Sequence, residues 1–108
     1  MLATPPLQLP TRELESLFGR LVQEWHHDTD VLSDSSRLAM HPAYQRIIGL
    51  GPQVVPLILR EMRDRGGHWF WALRSITGDN PVPAEEVGRV ARMKELWLQW
   101  GREKGYIE

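Results

Sequence analysis

A chain of 108 residues, 42% hydrophobic and 25% charged with a net charge of −1, fits one small globular domain and excludes a two-domain enzyme. Its balanced charge excludes a one-signed disordered chain, and no apolar run approaches the roughly 20 residues that a membrane helix needs. The absence of Cys excludes disulfide staples, thiolate zinc sites and a cysteine nucleophile. With no signal-peptide pattern at the start, the cytoplasm is the expected compartment.

Residues 1–10 carry three of the eight prolines and no charge. Proline removes donors and blocks helix, so a flexible Pro-rich arm is expected there, with a single helical domain over 11–108. Thr11 is a candidate N-cap with Glu13 in the first turn. Leu14, Leu17, Phe18, Leu21, Val22 and Trp25 then follow the spacing of one helix face, which predicts a helix over 11–25. Ser35 or Ser36 is placed to cap a short helical turn over 37–40, which His41-Pro42 should stop.

Pro42 suits the first turn of a further helix, with Tyr44, Ile47 and Ile48 on its inner face and Gly49 and Gly51 at its end. Val54 to Met62 form a broad apolar arc. The β-branched residues there admit a strand, but the spacing of Val55, Ile58, Leu59 and Met62 and the length of the segment favour helix, closed by Gly66-Gly67. A short helix is expected over 68–76, with Trp69, Leu73 and Ile76 facing inward. At about 100° per residue, Trp71 points roughly the opposite way. Pro83 reads as the first residue of a last helix running to about Lys104, with Glu85 and Glu86 near its positive end and Gly105 as its C-cap glycine. The expected fold is therefore all-α, with about five helices.

An internal repeat links two of these turns. Gly51-Pro52-Gln53-Val54-Val55-Pro56 and Gly78-Asp79-Asn80-Pro81-Val82-Pro83 share the pattern G-x-x-x-V-P at an offset of 27 residues. Each follows a short apolar helix and precedes a longer segment, so two helix–turn–helix units in tandem are expected. The first copy, from Ile48 to Leu59, resembles the inter-helix turn of a HEAT-like repeat. That resemblance implies compact helix pairs, a scaffold for binding protein or nucleic acid, with the 11–25 helix as an N-terminal cap. The runs His41–Ile48, His68–Leu73, Ile76–Pro83 and Trp97–Gly101 resemble a family of short bacterial all-helical proteins. This second resemblance implies a stand-alone domain acting with a partner, and no activity or catalytic residue.

The residues themselves carry no catalytic motif: no GxSxG, HExxH or phosphate-binding loop is present. No enzyme, no catalytic residue and no cofactor is expected. No metal site is expected either, because adjacent His26 and His27 point about 100° apart on a helix and are favourable near its C-terminal end as they stand.

Five Trp in so short a chain are the one compositional oddity. Each buried Trp removes roughly 150–250 Å² from water, so most are expected to build the core. Trp and Arg also dominate the energetic centres of interfaces. Trp71 lies off the core face beside Arg74, and Trp97 and Trp100 share an arc too wide for one neighbouring helix. The expected partner-binding residues are therefore Trp69, Trp71, Arg74, Trp97 and Trp100. The partner is another protein or a second copy of this chain.

The function that follows is a non-catalytic protein-binding module, with the size of an antitoxin-like or immunity-like neutraliser of another bacterial protein. The competing expectation is a nucleic-acid-binding helical module. Arg60, Arg63, Arg65, Arg74, Arg89, Arg92, Lys94, Arg102 and Lys104 would then meet phosphate, although Glu61, Asp64, Glu86, Glu95 and Glu103 are interleaved with them.

Overall fold

The structure is a computed structural model that describes residues 9–29 and 35–108. The expected arm falls mainly on residues 1–8, outside the described residues. Among the described residues the regular structure is wholly helical: α1 (Thr11–Thr29), α2 (Ser35–Ala39), α3 (Pro42–Gly49), α4 (Val55–Arg65), α5 (Phe70–Thr77) and α6 (Val90–Glu103), with 3₁₀ turns at Gly51–Val54 and Ala84–Glu86. Alternate helices stack: α1 lies on α3, α3 on α5, and α4 on α6. No helix among the described residues is long and apolar enough to cross a membrane.

Helix α1 runs one turn further than the periodicity predicts, because His26 and His27 are tolerated beside its negative end. Thr11 is already helical, and the first turn closes with the Leu14 N–H donating to the Pro10 carbonyl at 2.9 Å. Leu14, Phe18, Leu21, Val22 and Trp25 are buried, as one face of a helix should be. Leu9, at the entry to the helix, donates its N–H to Gln53 Oε1 at 3.2 Å and so ties the N-terminal side to the Gly51–Val54 turn.

His41 ends α2 and starts α3 at once. Its backbone is extended, and its Nδ1 accepts from the Ala43 N–H at 3.0 Å, an N-cap made by an imidazole. An accepting Nδ1 leaves the proton on Nε2, which faces Asp28 Oδ2 at 2.8 Å and donates to it. The end of α1 is thereby tied to the start of α3. The hydrogen bonds from His41 and then His27 hold the Asp28 carboxyl below its ordinary value. The contribution of this tie is present above the ordinary carboxylate range and is lost as the pH falls through the lowered value.

Helix α4 buries Val55, Ile58, Leu59 and Met62, the helical spacing, which settles the strand alternative. Pro56 sits in its first turn, where its missing N–H removes no helical bond. Helix α6 approaches α4 through Gly101. A Cβ there would lie 2.6 Å from Leu59 Cδ1 and 3.3 Å from Ile107 Cγ1, so only glycine fits without displacing them. The helix then ends as expected at Gly105. The Tyr106 N–H bonds the Gly101 carbonyl and the Gly105 N–H bonds that of Arg102, the paired closure of a Schellman motif.

The last helix does not begin at Pro83. Pro83 is extended and leads into the Ala84–Glu86 turn. Val87 is extended again, Gly88 takes φ +93°, and α6 starts only at Val90. A left-handed glycine interrupts the helix expected to start at Pro83. The second copy of the G-x-x-x-V-P pattern therefore enters a 3₁₀ turn, where the first enters α4. Helix α5 likewise begins at Phe70 and not at His68, because Gly66 and Gly67 hold positive φ.

The core centres on an aromatic cluster joining α1, α3 and the start of α5. Trp69 packs against Phe18, Trp25 and Tyr44 with ring centroids 5.8, 4.8 and 5.6 Å away. The polar edges are satisfied: Trp25 Nε1 donates to the Leu38 carbonyl and Trp69 Nε1 to that of Gly66. The Tyr44 hydroxyl donates to the His68 carbonyl at 2.8 Å and accepts from the Ala72 N–H at 3.0 Å. Trp69, the N-cap residue of α5, offers no side-chain acceptor, so the phenol of another helix caps α5 in its place. Burial pushes the Tyr44 phenol well above its ordinary value, which favours the protonated, donating form. Tyr44→Phe leaves the ring packed but removes the donor to the His68 carbonyl and orphans the buried Ala72 N–H. The expected loss is about 1–3 kcal/mol in urea unfolding, and an unchanged midpoint would show that this cap carries no stability.

Candidate functional site

A cleft of about 620 Å³ opens in the described part of the chain. Its walls are α5, the 78–82 turn, the Val87–Gly88 break and the first turns of α6. The pattern that buries Trp69, Ala72 and Leu73 against α3 turns Trp71 and Arg74, three residues apart, to the other side of α5. Both line the cleft. Trp71 is 56% exposed, and facing it Val87 and Val90 are 64% and 53% exposed. Among the described residues, three of the four exposed large apolar side chains thus line this cleft; the fourth, Met40, does not.

The five residues expected to bind a partner do not share a surface. Trp69 is fully buried in the aromatic cluster. Trp97 is also fully buried, packed edge-on against Trp100 with ring centroids 5.1 Å apart, and reaches the cleft only as part of its floor. Trp100 is buried too. It stacks on Tyr106 at 5.4 Å and donates Nε1 to Asp79 Oδ2 at 3.1 Å, pinning the 78–82 turn to α6. The apolar arc of α6 around Trp97 and Trp100 is covered from inside the molecule, with α4 and the C-terminal residues Tyr106 and Ile107 packed there, while its first turn, at Val90, faces the cleft. These three tryptophans shape the cleft from behind, and Trp71 and Arg74 remain at its surface.

Val87 and Val90 are the residues that sequence reasoning missed. Both belong to the inner face of a helix begun at Pro83, and the Gly88 break turns both outward. The signal was Gly88 itself, a glycine in the middle of a predicted helix.

The polar groups of the cleft divide by role. Asn80 Oδ1 accepts from the Val82 N–H at 3.2 Å, and Asp79 Oδ2 accepts from Trp100. Arg74 makes no ion pair among the described residues, whereas Arg89 and Arg92, just beyond the cleft, are held near Glu86 at 3.9 and 3.7 Å. Arg92 also meets Glu95 at 3.1 Å, Arg63 meets Asp64 at 2.9 Å and Arg65 meets Glu61 at 2.7 Å. Much of the positive charge on α4 and α6 is therefore already neutralised locally.

No group of three His, Asp or Glu among the described residues is placed to hold a metal ion. His27 and His41 both hydrogen-bond Asp28, an arrangement that joins α1 to α3 and lies outside the cleft. Glu85 is exposed, and Glu86 is occupied by the two arginines. Comparison with protein-family models, with curated proteins and with solved structures found no match for this chain, and so adds no support to either resemblance drawn from the sequence.

Proposed function

We propose that this protein is a non-catalytic interaction module that seats an apolar segment of another protein against Trp71, Val87 and Val90. The observation that carries this reading is the convergence of those exposed side chains, with Arg74, on one cleft. Isolated apolar residues on a surface need no explanation, but a concave cluster of them resembles the centre of an interface. A small partner or neutraliser of another bacterial protein, of the antitoxin or immunity kind, is the biological role that suits this size. The stacking of α3 on α5 and of α4 on α6 supports a HEAT-like pair of helical units as its scaffold. The nucleic-acid reading is weaker because Arg63, Arg65, Arg89 and Arg92 already hold carboxylates.

The test compares wild-type protein and Trp71→Ala as immobilised baits in nuclease-treated host lysate, washed at low and at high salt. Trp71 packs little of the core, so its loss should change stability by no more than about 0.5 kcal/mol. At an interface centre it should weaken partner binding by roughly 2 kcal/mol or more, about 30-fold. The expected result is one stoichiometric protein that survives high salt on the wild type and is lost from Trp71→Ala. Nucleic acid retained at low salt and shed at high salt would replace this reading with the phosphate-binding one. Equal retention by both baits would remove the cleft from the account.

A further inference from the structure

We infer that the start of α3 is closed by a proton-sensitive cap: the neutral imidazole of His41 holds it shut, and protonation of that ring under mildly acidic conditions opens it. This device is independent of what occupies the cleft. It follows from the different tasks of the two ring nitrogens. Nδ1 accepts from the Ala43 N–H at 3.0 Å, and Nε2 donates to Asp28 Oδ2 at 2.8 Å. An accepting nitrogen needs its lone pair, so only the neutral ring makes both bonds. Ser, Thr, Asp and Asn, the usual capping residues, keep an acceptor throughout the mildly acidic range. An imidazole, which ordinarily titrates at about 6.5, does not.

Asp28 by itself favours an imidazolium, so the sign depends on which end of the ring prevails. The bond from Nε2 to Asp28 already exists in the neutral ring, and protonation adds charge to it without adding a bond. The Asp28 side chain is 47% exposed and is shared with His27 at 3.3 Å, so solvent and a second partner weaken that gain. His26, the other imidazole at this end of α1, stacks on Trp25 with ring centroids 5.0 Å apart. On the cap side the surroundings are closed: the His41 side chain is only 14% exposed and Ala43 is buried. Protonation there turns an acceptor into a donor facing the Ala43 N–H, and sets a positive charge at the positive end of α3. Arg37 of α2 and Arg46 of α3 are cations with no ion pair among the described residues, so neither favours an imidazolium. The loss at the cap therefore outweighs the gain at Asp28. Asp28 itself stays ionised throughout, since its carboxyl is held below its ordinary value, first by the hydrogen bond from His41. Opening reaches beyond one bond, because Tyr44, the next residue after Ala43, caps α5 through its hydroxyl.

The test compares full-length wild type, His41→Asn and His41→Ala at about pH 7.5 and about pH 5.5, on either side of the imidazole range. Asparagine supplies a capping acceptor that does not titrate, and alanine supplies none. On acidification the wild type should lose roughly two- to thirtyfold in its folded-to-unfolded ratio relative to His41→Asn, the span covered by loss of one cap. His41→Ala should start from the lowered value and show no such added loss. Taking the difference from His41→Asn removes the titration of His26, His27 and His68, which all three proteins share. Nitrogen-15 NMR of the wild-type imidazole reads the device directly. At the higher pH the ring proton should sit on Nε2 alone. At the lower pH protonation of Nδ1 should coincide with a fall in the exchange protection factor of the Ala43 amide. Equal pH dependence in wild type and His41→Asn, a proton on Nδ1 at the higher pH, or an Ala43 amide that stays protected once Nδ1 is protonated would each overturn the proposal.

Discussion

Replacing Ile58 by aspartate is expected to abolish the folded state. Ile58 is fully buried on the inner face of α4, where that helix packs against α6 and α5. The substitution removes apolar burial of about 1.5–3 kcal/mol. It also buries a carboxylate with no cation placed to receive it, at a cost of several kcal/mol even after relaxation. A domain of this size has roughly 5–15 kcal/mol of total stability. Loss of the far-UV helical signal and a shift to larger hydrodynamic volume are the expected readouts. A soluble, folded Ile58→Asp protein would mean that α4 does not present this face to the core.

Trp69→Ala is the second large effect. The ring is fully enclosed by Phe18, Trp25 and Tyr44, and its indole N–H is bonded to the Gly66 carbonyl at 3.2 Å. Gly67 wraps so closely around it that a Cβ there would lie 2.9 Å from Trp69 Nε1. Such a site has no spare neighbour to collapse into the void, so a loss of about 3–5 kcal/mol is expected in urea unfolding. The effect should reach beyond the cavity, because Trp69 also sets the ring position of Tyr44, whose hydroxyl caps α5. Trp71, two residues away, should tolerate the same change almost without cost. A similar loss at both positions would contradict the division of α5 into an inner and an outer face.

That division was legible in the sequence, because it needs only the angular step of a helix and the positions of Trp69, Leu73 and Trp71. The faces of α1 and α4 were legible for the same reason. Their burial follows a 3.6-residue period with no long-range information. The opening of α6 was not. Pro83, Glu85 and Glu86 are all favourable helix-start residues, and only Gly88 argued against them. The chain follows Gly88: its φ of +93° breaks the helix, and Glu86 lies 3.9 and 3.7 Å from Arg89 and Arg92 across that break. Trp100 is covered by Tyr106, which follows the helix and carries no periodic signal, and Trp97 is buried edge-on against Trp100. Two caps escaped notice as well. An imidazole at His41 and a distant phenol at Tyr44 perform what sequence rules assign to Ser, Thr, Asp or Asn.

Four tryptophans build the interior and one is left at the cleft. Iodide quenching of tryptophan fluorescence measures this asymmetry directly, in the wild type and in Trp71→Phe. The structure predicts a single quenchable component in the wild type, absent from Trp71→Phe, with the remaining emission shielded until the chain is unfolded. A quenchable component that persists in Trp71→Phe would place a second tryptophan at the surface and contradict the assignment of the cleft to Trp71.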